Sequence, residues 1–382
     1  MSCCVCRLPL LPDRAESTSP LPEHFAPPGV LTKEQTRYFE RGTLWGDHIH
    51  GFWVDTRYFS SNMTANRDPK NNPVGLMMFL WEQEERDKTF ITMHHTCFRL
   101  LCVVIDAEGE NKESLRKLVA LEMVLGPPGG GIDCGRWPGV NYEESGEEVD
   151  TRTLWKLGLA LGSNIFDWRG LARLGYDWVV HRPDVFPRFY TAVSPERVKH
   201  LAAGTDLRGT DVLTRMPSDV LRAIASHLVL EPAALAQLSG TCRFLRFLAV
   251  DEWQLLARDC VLALRWAIPC AAELQQNAKM LEGTANKDAQ GDWMLYLSHV
   301  HRTKSMRVRR WVWALCGEVK RVADEHFKRT RIMEKGTMRW QEAEKMTAVK
   351  WVEHLWISGL QGTTLQDLRK MARQNGVKTA FA

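Results

Sequence analysis

No apolar stretch in this chain is clean enough to cross a bilayer. The most apolar window, Leu255 to Leu274, is cut by Arg258, Asp259 and Arg265, too much charge for a span of about 20 residues. A charge imbalance is missing too: 50 Lys and Arg face 46 Asp and Glu, a formal net charge of +4. Whole-chain charge therefore points to no polyanionic partner. The stretch Met1 to Pro12 is apolar but has neither a basic start nor a small-residue cleavage site, so it is not expected to act as a signal peptide. The 10 cysteines show no framework spacing, which fits a reducing compartment, cytosol or nucleus. No internal repeat stands out. The glycine run Gly126 to Gly135 is followed by no Gly-Lys-Ser or Gly-Lys-Thr, so it reads as a loop and not as a phosphate cradle. Cys134 beside Asp133 has nothing to position a base. No catalytic residue and no cofactor are expected, and the chain reads as a non-enzyme.

What is present is globular. The chain has 382 residues, 45% apolar and 25% charged, too long for one hydrophobic core. Leu8 to Gly29 is rich in proline, with Ser and Thr between the prolines, and residues 1–29 read as an extended segment. His48 to Phe59 and the apolar run Phe98 to Ile105 suit strands or short buried helices. Ser114 to Leu125 carries a helical stripe, Leu115, Leu118, Val119 and Met123, stopped by the Gly-Pro-rich run that follows. From Asp211 onward the pattern is helical almost to the end. The expected fold is an α+β N-terminal domain (30–209) followed by a mainly α-helical half. That half divides into a three-helix unit (210–260) and C-terminal helices (261–382).

The richest segment is Asp211 to Cys260. Pro217 has the fixed φ of a helix start and Asp219 favours the positive end of the same helix. Val220, Leu221, Ile224 and Leu228 then recur at helical spacing. Glu231-Pro232 opens a second helix, whose stripe runs through Leu235, Leu238, Cys242, Leu245 and Leu248. Asp251 is the expected cap of a third, with Gln254 at the capping-box position and Trp253 on its buried side. Three short helices bury only part of their apolar surface on one another, and the remainder needs a partner.

Leu213-x-x-Met216-Pro217-x-Asp219-Val220-Leu221-x-x-Ile224-x-x-x-Leu228 resembles the first helix of an F-box. Leu235-x-x-Leu238-Ser239-x-x-Cys242-Arg243-x-Leu245-Arg246-x-Leu248-Ala249 resembles its second, and Asp251-x-Trp253 its acidic-then-tryptophan close. Met216-Pro217 replaces the usual Leu-Pro, a tolerable apolar swap. Ala234-Leu235 stands for Asp-Leu, and Glu252-Trp253 for Leu-Trp. The wider layout is similar to that of fungal F-box proteins with a central box: Cys3-Cys4-Val5-Cys6 early, His94-His95-Thr96-Cys97 before the box, Ser305-Met306-Arg307 and tryptophan-rich helices after it. The resemblance implies a helical plug that docks into a groove of the Skp protein. Through Skp it would join a cullin scaffold and hold an unknown target protein near a ubiquitin-conjugating enzyme, so that the gain is proximity. The residues implied for Skp binding are Leu213, Met216, Pro217, Val220, Leu221, Ile224, Leu228, Leu235, Leu238, Cys242, Leu245 and Trp253. An F-box protein working with Skp outside a ligase, or a basic helical nucleic-acid binder, are the alternatives.

Four other signals remain. Cys3, Cys6, His94 and Cys97 have the right types for a mixed zinc site. They are far apart in sequence and His94 and His95 are adjacent, so buried free thiols beside a hydrogen-bonded histidine are the adopted reading, with no metal expected. Arg302 to Arg331 interleaves Arg307, Arg309, Arg310, Lys320 and Arg321 with Trp311, Leu315, Val319, Val322 and Phe327, an amphipathic helix with a basic outer face. The 15 tryptophans are expected to be core anchors more than exposed contacts. Thr364 to Gly376 reads as a short capped helix.

Overall fold

The computed structural model describes residues 2–9, 29–36, 48–53, 58–62, 90–105, 136–145, 149–160, 166–203, 209–276 and 283–333. The expected helix at 114–125, the glycine loop with Cys134 and the tail helix at 364–376 lie outside them. Helix predominates among the described residues and sheet is scarce. Strands β1 (His48–Trp53), β2 (Tyr58–Asn62) and β3 (Phe90–His94) form one antiparallel sheet in the order β2-β1-β3. His48 pairs with Asn62, and Ile49 with His94. The run through Phe98 to Ile105 is helical: α1 (His95–Val104) follows β3 without a loop.

Further along come α2 (Thr151–Ala160), α3 (Trp168–Arg173), α4 (Pro195–Ala202) and a single turn, α5 (Val212–Arg215). Next are α6 (Ser218–Ser226), α7 (Pro232–Gly240), α8 (Arg243–Asp251) and α9 (Gln254–Ala263). The last are α10 (Ala271–Gln276), α11 (Trp293–Arg302) and α12 (Lys304–Met333). None of the described helices is long and apolar enough to cross a membrane.

Two compact units divide the chain, and they are not the linear blocks expected from the sequence. One comprises Met1–Thr18, Gly42–Arg182 and Trp311–Ala382; the other comprises Ser19–Arg41 and Pro183–Arg310. The 210–260 segment thus shares a unit with residues on both sides of it.

In the first unit, residues 2–9 are no extended tail. Cys3, Cys4, Val5, Cys6 and Leu8 are fully buried. The segment closes on itself, with the Cys3 N–H donating to Leu8 O at 2.9 Å and the Arg7 N–H to Cys3 O at 2.9 Å. Arg7 adopts φ 66°, a left-handed conformation uncommon outside glycine. The turn is tied down by the Tyr142 hydroxyl, which donates to Cys4 O at 2.8 Å, and by Trp155 Nε1, which donates to Arg7 O at 2.8 Å. Trp178 and Trp311 meet edge-to-face at 5.9 Å, a favoured aromatic geometry.

The second unit has an aromatic core. Phe189 lies 4.8 Å from Trp293 and 5.7 Å from Tyr296. Tyr296 donates its hydroxyl to Ala267 O at 2.8 Å. Among the described tryptophans, Trp137, Trp178, Trp253, Trp266, Trp293 and Trp311 are buried core anchors. Arg309 overturns the reading of a wholly outward basic face. It is fully buried, makes a two-pronged ion pair with Glu273 at 2.7 and 2.8 Å, and donates Nε to Trp266 O at 2.7 Å. Its position explains why: on one helix it is in phase with Ser305, Val312 and Cys316, all equally buried.

Candidate functional site

The 210–260 segment is a series of short helices whose breaks are written in the sequence. Asp211 caps α5 by accepting from the Thr214 N–H at 2.9 Å and the Thr214 hydroxyl at 2.6 Å. The Thr214 hydroxyl and amide hold the Asp211 carboxyl below its ordinary value. Met216 and Pro217 are extended, Pro217 with φ −55° and ψ 145°, so proline ends α5 and sits just ahead of the first helical residue of α6. Glu231-Pro232 starts α7 as expected, with Pro232 in its first turn.

Two details differ from expectation. The second stripe is not one helix: Thr241-Cys242 breaks it, and Cys242 caps α8 by accepting from the Leu245 N–H at 3.5 Å. Asp251 ends α8 and does not cap α9. Gln254 makes no capping box; its amide donates to Val250 O at 2.6 Å and accepts from the Met294 N–H at 3.0 Å.

The expected Skp-binding residues fall into two sets. Leu221, Leu235, Leu245 and Trp253 are buried within the unit, with Leu221 no more than 1% exposed. Leu213, Met216, Ile224, Leu228, Leu238 and Cys242 are half-buried, while Pro217 and Val220 are exposed. On α6 the split follows the helical period: Leu221 and Ala225 turn inward, Val220 and Ile224 lie on another face. Two further apolar side chains that the motif did not single out are open to solvent, Val212 at 77% and Leu230 at 80% exposure. Val212, Val220 and Leu230 all belong to this segment, so its outer surface carries apolar area without an internal partner. Behind it, α8 packs on α4, and Arg243 donates Nη2 to His200 O at 2.6 Å and Nε to Leu201 O at 3.1 Å.

A second constellation lies in the first unit. Cys3 and Cys6 come from the closed N-terminal turn, His94 from the end of β3 and Cys97 from the first turn of α1. Their Sγ and ring-nitrogen atoms all lie within 4.8 Å of one another, and all four residues are buried. His94 Nδ1 is 3.3 Å from Cys6 Sγ, and Nε2 donates to Pro9 O at 3.1 Å. Burial pushes the Cys6 and Cys97 thiols well up. It acts on Cys3 in the same way, but hydrogen bonds from Cys6 and Cys97 outweigh it and bring the Cys3 thiol well down. The other buried thiols, Cys4, Cys102, Cys260 and Cys316, stand outside the group.

The basic stretch of α12 is largely paired where its side chains are described. Lys320 bonds Asp324 at 3.0 Å, and Arg321 bonds Glu318 and Glu325 at 2.6 and 2.5 Å. No family model, no curated protein and no solved structure matches this chain.

Proposed function

We propose that the 210–260 segment is an F-box and that the protein is a non-catalytic substrate adaptor of a Skp–cullin–F-box ubiquitin ligase. The observation that carries this reading is the two-sided character of the stretch from α5 to the start of α9. Leu221, Leu235, Leu245 and Trp253 face inward and hold the helices together. Val220, Ile224, Leu213 and Met216, on the spacing of the F-box resemblance, remain wholly or partly open. An apolar outer face on a folded helical unit is what a helix-in-groove partner needs, and Skp is the partner that the motif implies. Burying one such side chain is worth about 1.5–3 kcal/mol. A handful of open or half-open anchors is therefore enough for a stable complex after the cost of association.

On this reading the flanking residues hold the target; the sheet β2-β1-β3 followed by α1 supports an α+β class for the N-terminal part of the chain. The adaptor would work in the cytosol or nucleus. The pairing of Lys320, Arg321 and Arg309 with carboxylates speaks against α12 as a nucleic-acid surface, which depends on unpaired cations. The test is recruitment of the whole ligase. The full chain, tagged and purified from cells of its source, should bring down both Skp and a cullin. Skp without cullin would leave a Skp partner that works outside a ligase; neither would remove the adaptor reading.

A further inference from the structure

We infer that Cys3, Cys6, His94 and Cys97 form a structural zinc site that fastens the N-terminal turn to β3 and α1. Tetrahedral zinc has Zn–S distances of about 2.3 Å and Zn–N distances of about 2.0–2.1 Å, which put neighbouring donor atoms about 3.5–3.8 Å apart. The donors here lie within 4.8 Å of one another, with the closest separation, Cys6 Sγ to His94 Nδ1, at 3.3 Å. An ion at their centre needs only small side-chain movements.

The histidine is already set as a ligand. Its Nε2–H donates to Pro9 O at 3.1 Å, which leaves the lone pair on Nδ1, the atom facing the sulfurs. A ligating histidine ordinarily fixes its tautomer through a hydrogen bond of this kind to a carbonyl. The two sequence objections fall away in the fold. Residues 6 and 94 are 88 apart in the chain yet in contact, and His95 is not required, because His94 and Cys97 supply both ligands from one side of the β3–α1 junction.

The chemistry of the donors selects the metal. Three thiols and one imidazole are a soft set suited to Zn²⁺ in a closed tetrahedral site. All four donors are buried and come from the protein, so no position is open for a substrate, and the role is structural. A bound cation would also compensate the charge that the three cysteines carry as thiolate ligands out of water. The buried Arg7, next in sequence to Cys6, adds positive charge against the net −1 of a zinc ion with three thiolates. Such an ion would tie the buried Cys3–Leu8 turn, with its left-handed Arg7, to β3 and α1. This inference does not depend on the F-box reading.

The test is metal analysis of the full chain, purified without chelator or metal-affinity resin. One zinc per chain is expected, with an X-ray absorption shell of three sulfurs at about 2.3 Å and one nitrogen at about 2.0–2.1 Å. Cys97→Ser and His94→Ala should lose the metal, while Cys4→Ser and Cys102→Ser keep it. His94→Cys should retain one zinc with a four-sulfur shell. If the ligand-removing variants aggregate, the absorption shell of the wild type and of His94→Cys still decides. Wild-type protein without zinc that takes up none when the metal is supplied, or zinc retained in Cys97→Ser, or a shell without sulfur, would overturn the assignment.

Discussion

Replacing Arg309 with methionine isolates one interaction that the second unit cannot easily do without. Arg309 is fully buried and Glu273 is 1% exposed, and the two share hydrogen bonds of 2.7 and 2.8 Å. The guanidinium also donates to the carbonyls of Trp266 and Pro183, at 2.7 and 3.2 Å, and lies 4.6 Å over the Phe186 ring. Methionine matches the stem but leaves Glu273 without a cation, held by the Cys270 N–H at 2.8 Å. Removing one partner of a buried pair costs about 3–5 kcal/mol, because a charge remains buried without compensation. Domains are stable by only about 5–15 kcal/mol, so the loss is a large fraction of the total. Urea unfolding followed by tryptophan fluorescence reads it directly, since Trp266 and Trp293 sit in this unit. The double variant Arg309→Met with Glu273→Leu should recover most of the loss, because an apolar pair of similar volume can replace a buried ion pair. A single variant that loses less than about 1 kcal/mol, or a double variant as damaged as the sum of two singles, would refute the reasoning.

Two further outcomes follow from the same unit. His299 is held below its ordinary value of 6.5, first by burial and then by Arg302. The unfolded chain therefore binds a proton that the folded chain refuses, and stability should fall as the pH drops below 6.5, towards the lower folded value, with no contribution above it. His299→Gln should flatten that slope in melts taken between pH 7 and about 5, whereas an unchanged slope would assign it to other groups. A Cβ built on Gly291 would lie 2.1 Å from the Tyr190 carbonyl oxygen and 2.8 Å from the Phe189 ring. Gly291→Ala must displace backbone against the aromatic core, and should cost at least about 1–3 kcal/mol in the same urea assay. A neutral effect would mean that this loop is free to move.

The helical half was legible because its punctuation is local. Proline at 217 and 232 marks helix boundaries through its fixed φ, and the structure uses both. The break at Thr241-Cys242 was missed because a cysteine cap is an uncommon signal beside Ser, Thr, Asp and Asn. Asp251 was misread because its residue type suits a cap, while its geometry places it at a helix end. Arg309 could have been found: its spacing to Val312 and Cys316 puts it on the buried stripe, and only its charge argued otherwise. The Cys3–Cys6–His94–Cys97 group was visible as residue types alone. Their meeting depends on a long-range closure, which periodicity and spacing do not carry.

The central claim is that the open apolar face of α6 docks into Skp, and an affinity titration against purified Skp tests it most directly. Val220 is 44% exposed and Ile224 is half-buried, so charges there should disturb binding more than folding. Each interface anchor is worth about 2 kcal/mol or more, and each 1.4 kcal/mol is about a tenfold change in Kd. Val220→Asp with Ile224→Asp should weaken Skp binding at least about a hundredfold in a chain that still melts as a folded protein, while Arg222→Ala, exposed on the same helix, should leave Kd where it was. Equal affinity of the wild type and the double aspartate variant, or no binding by either, would contradict it.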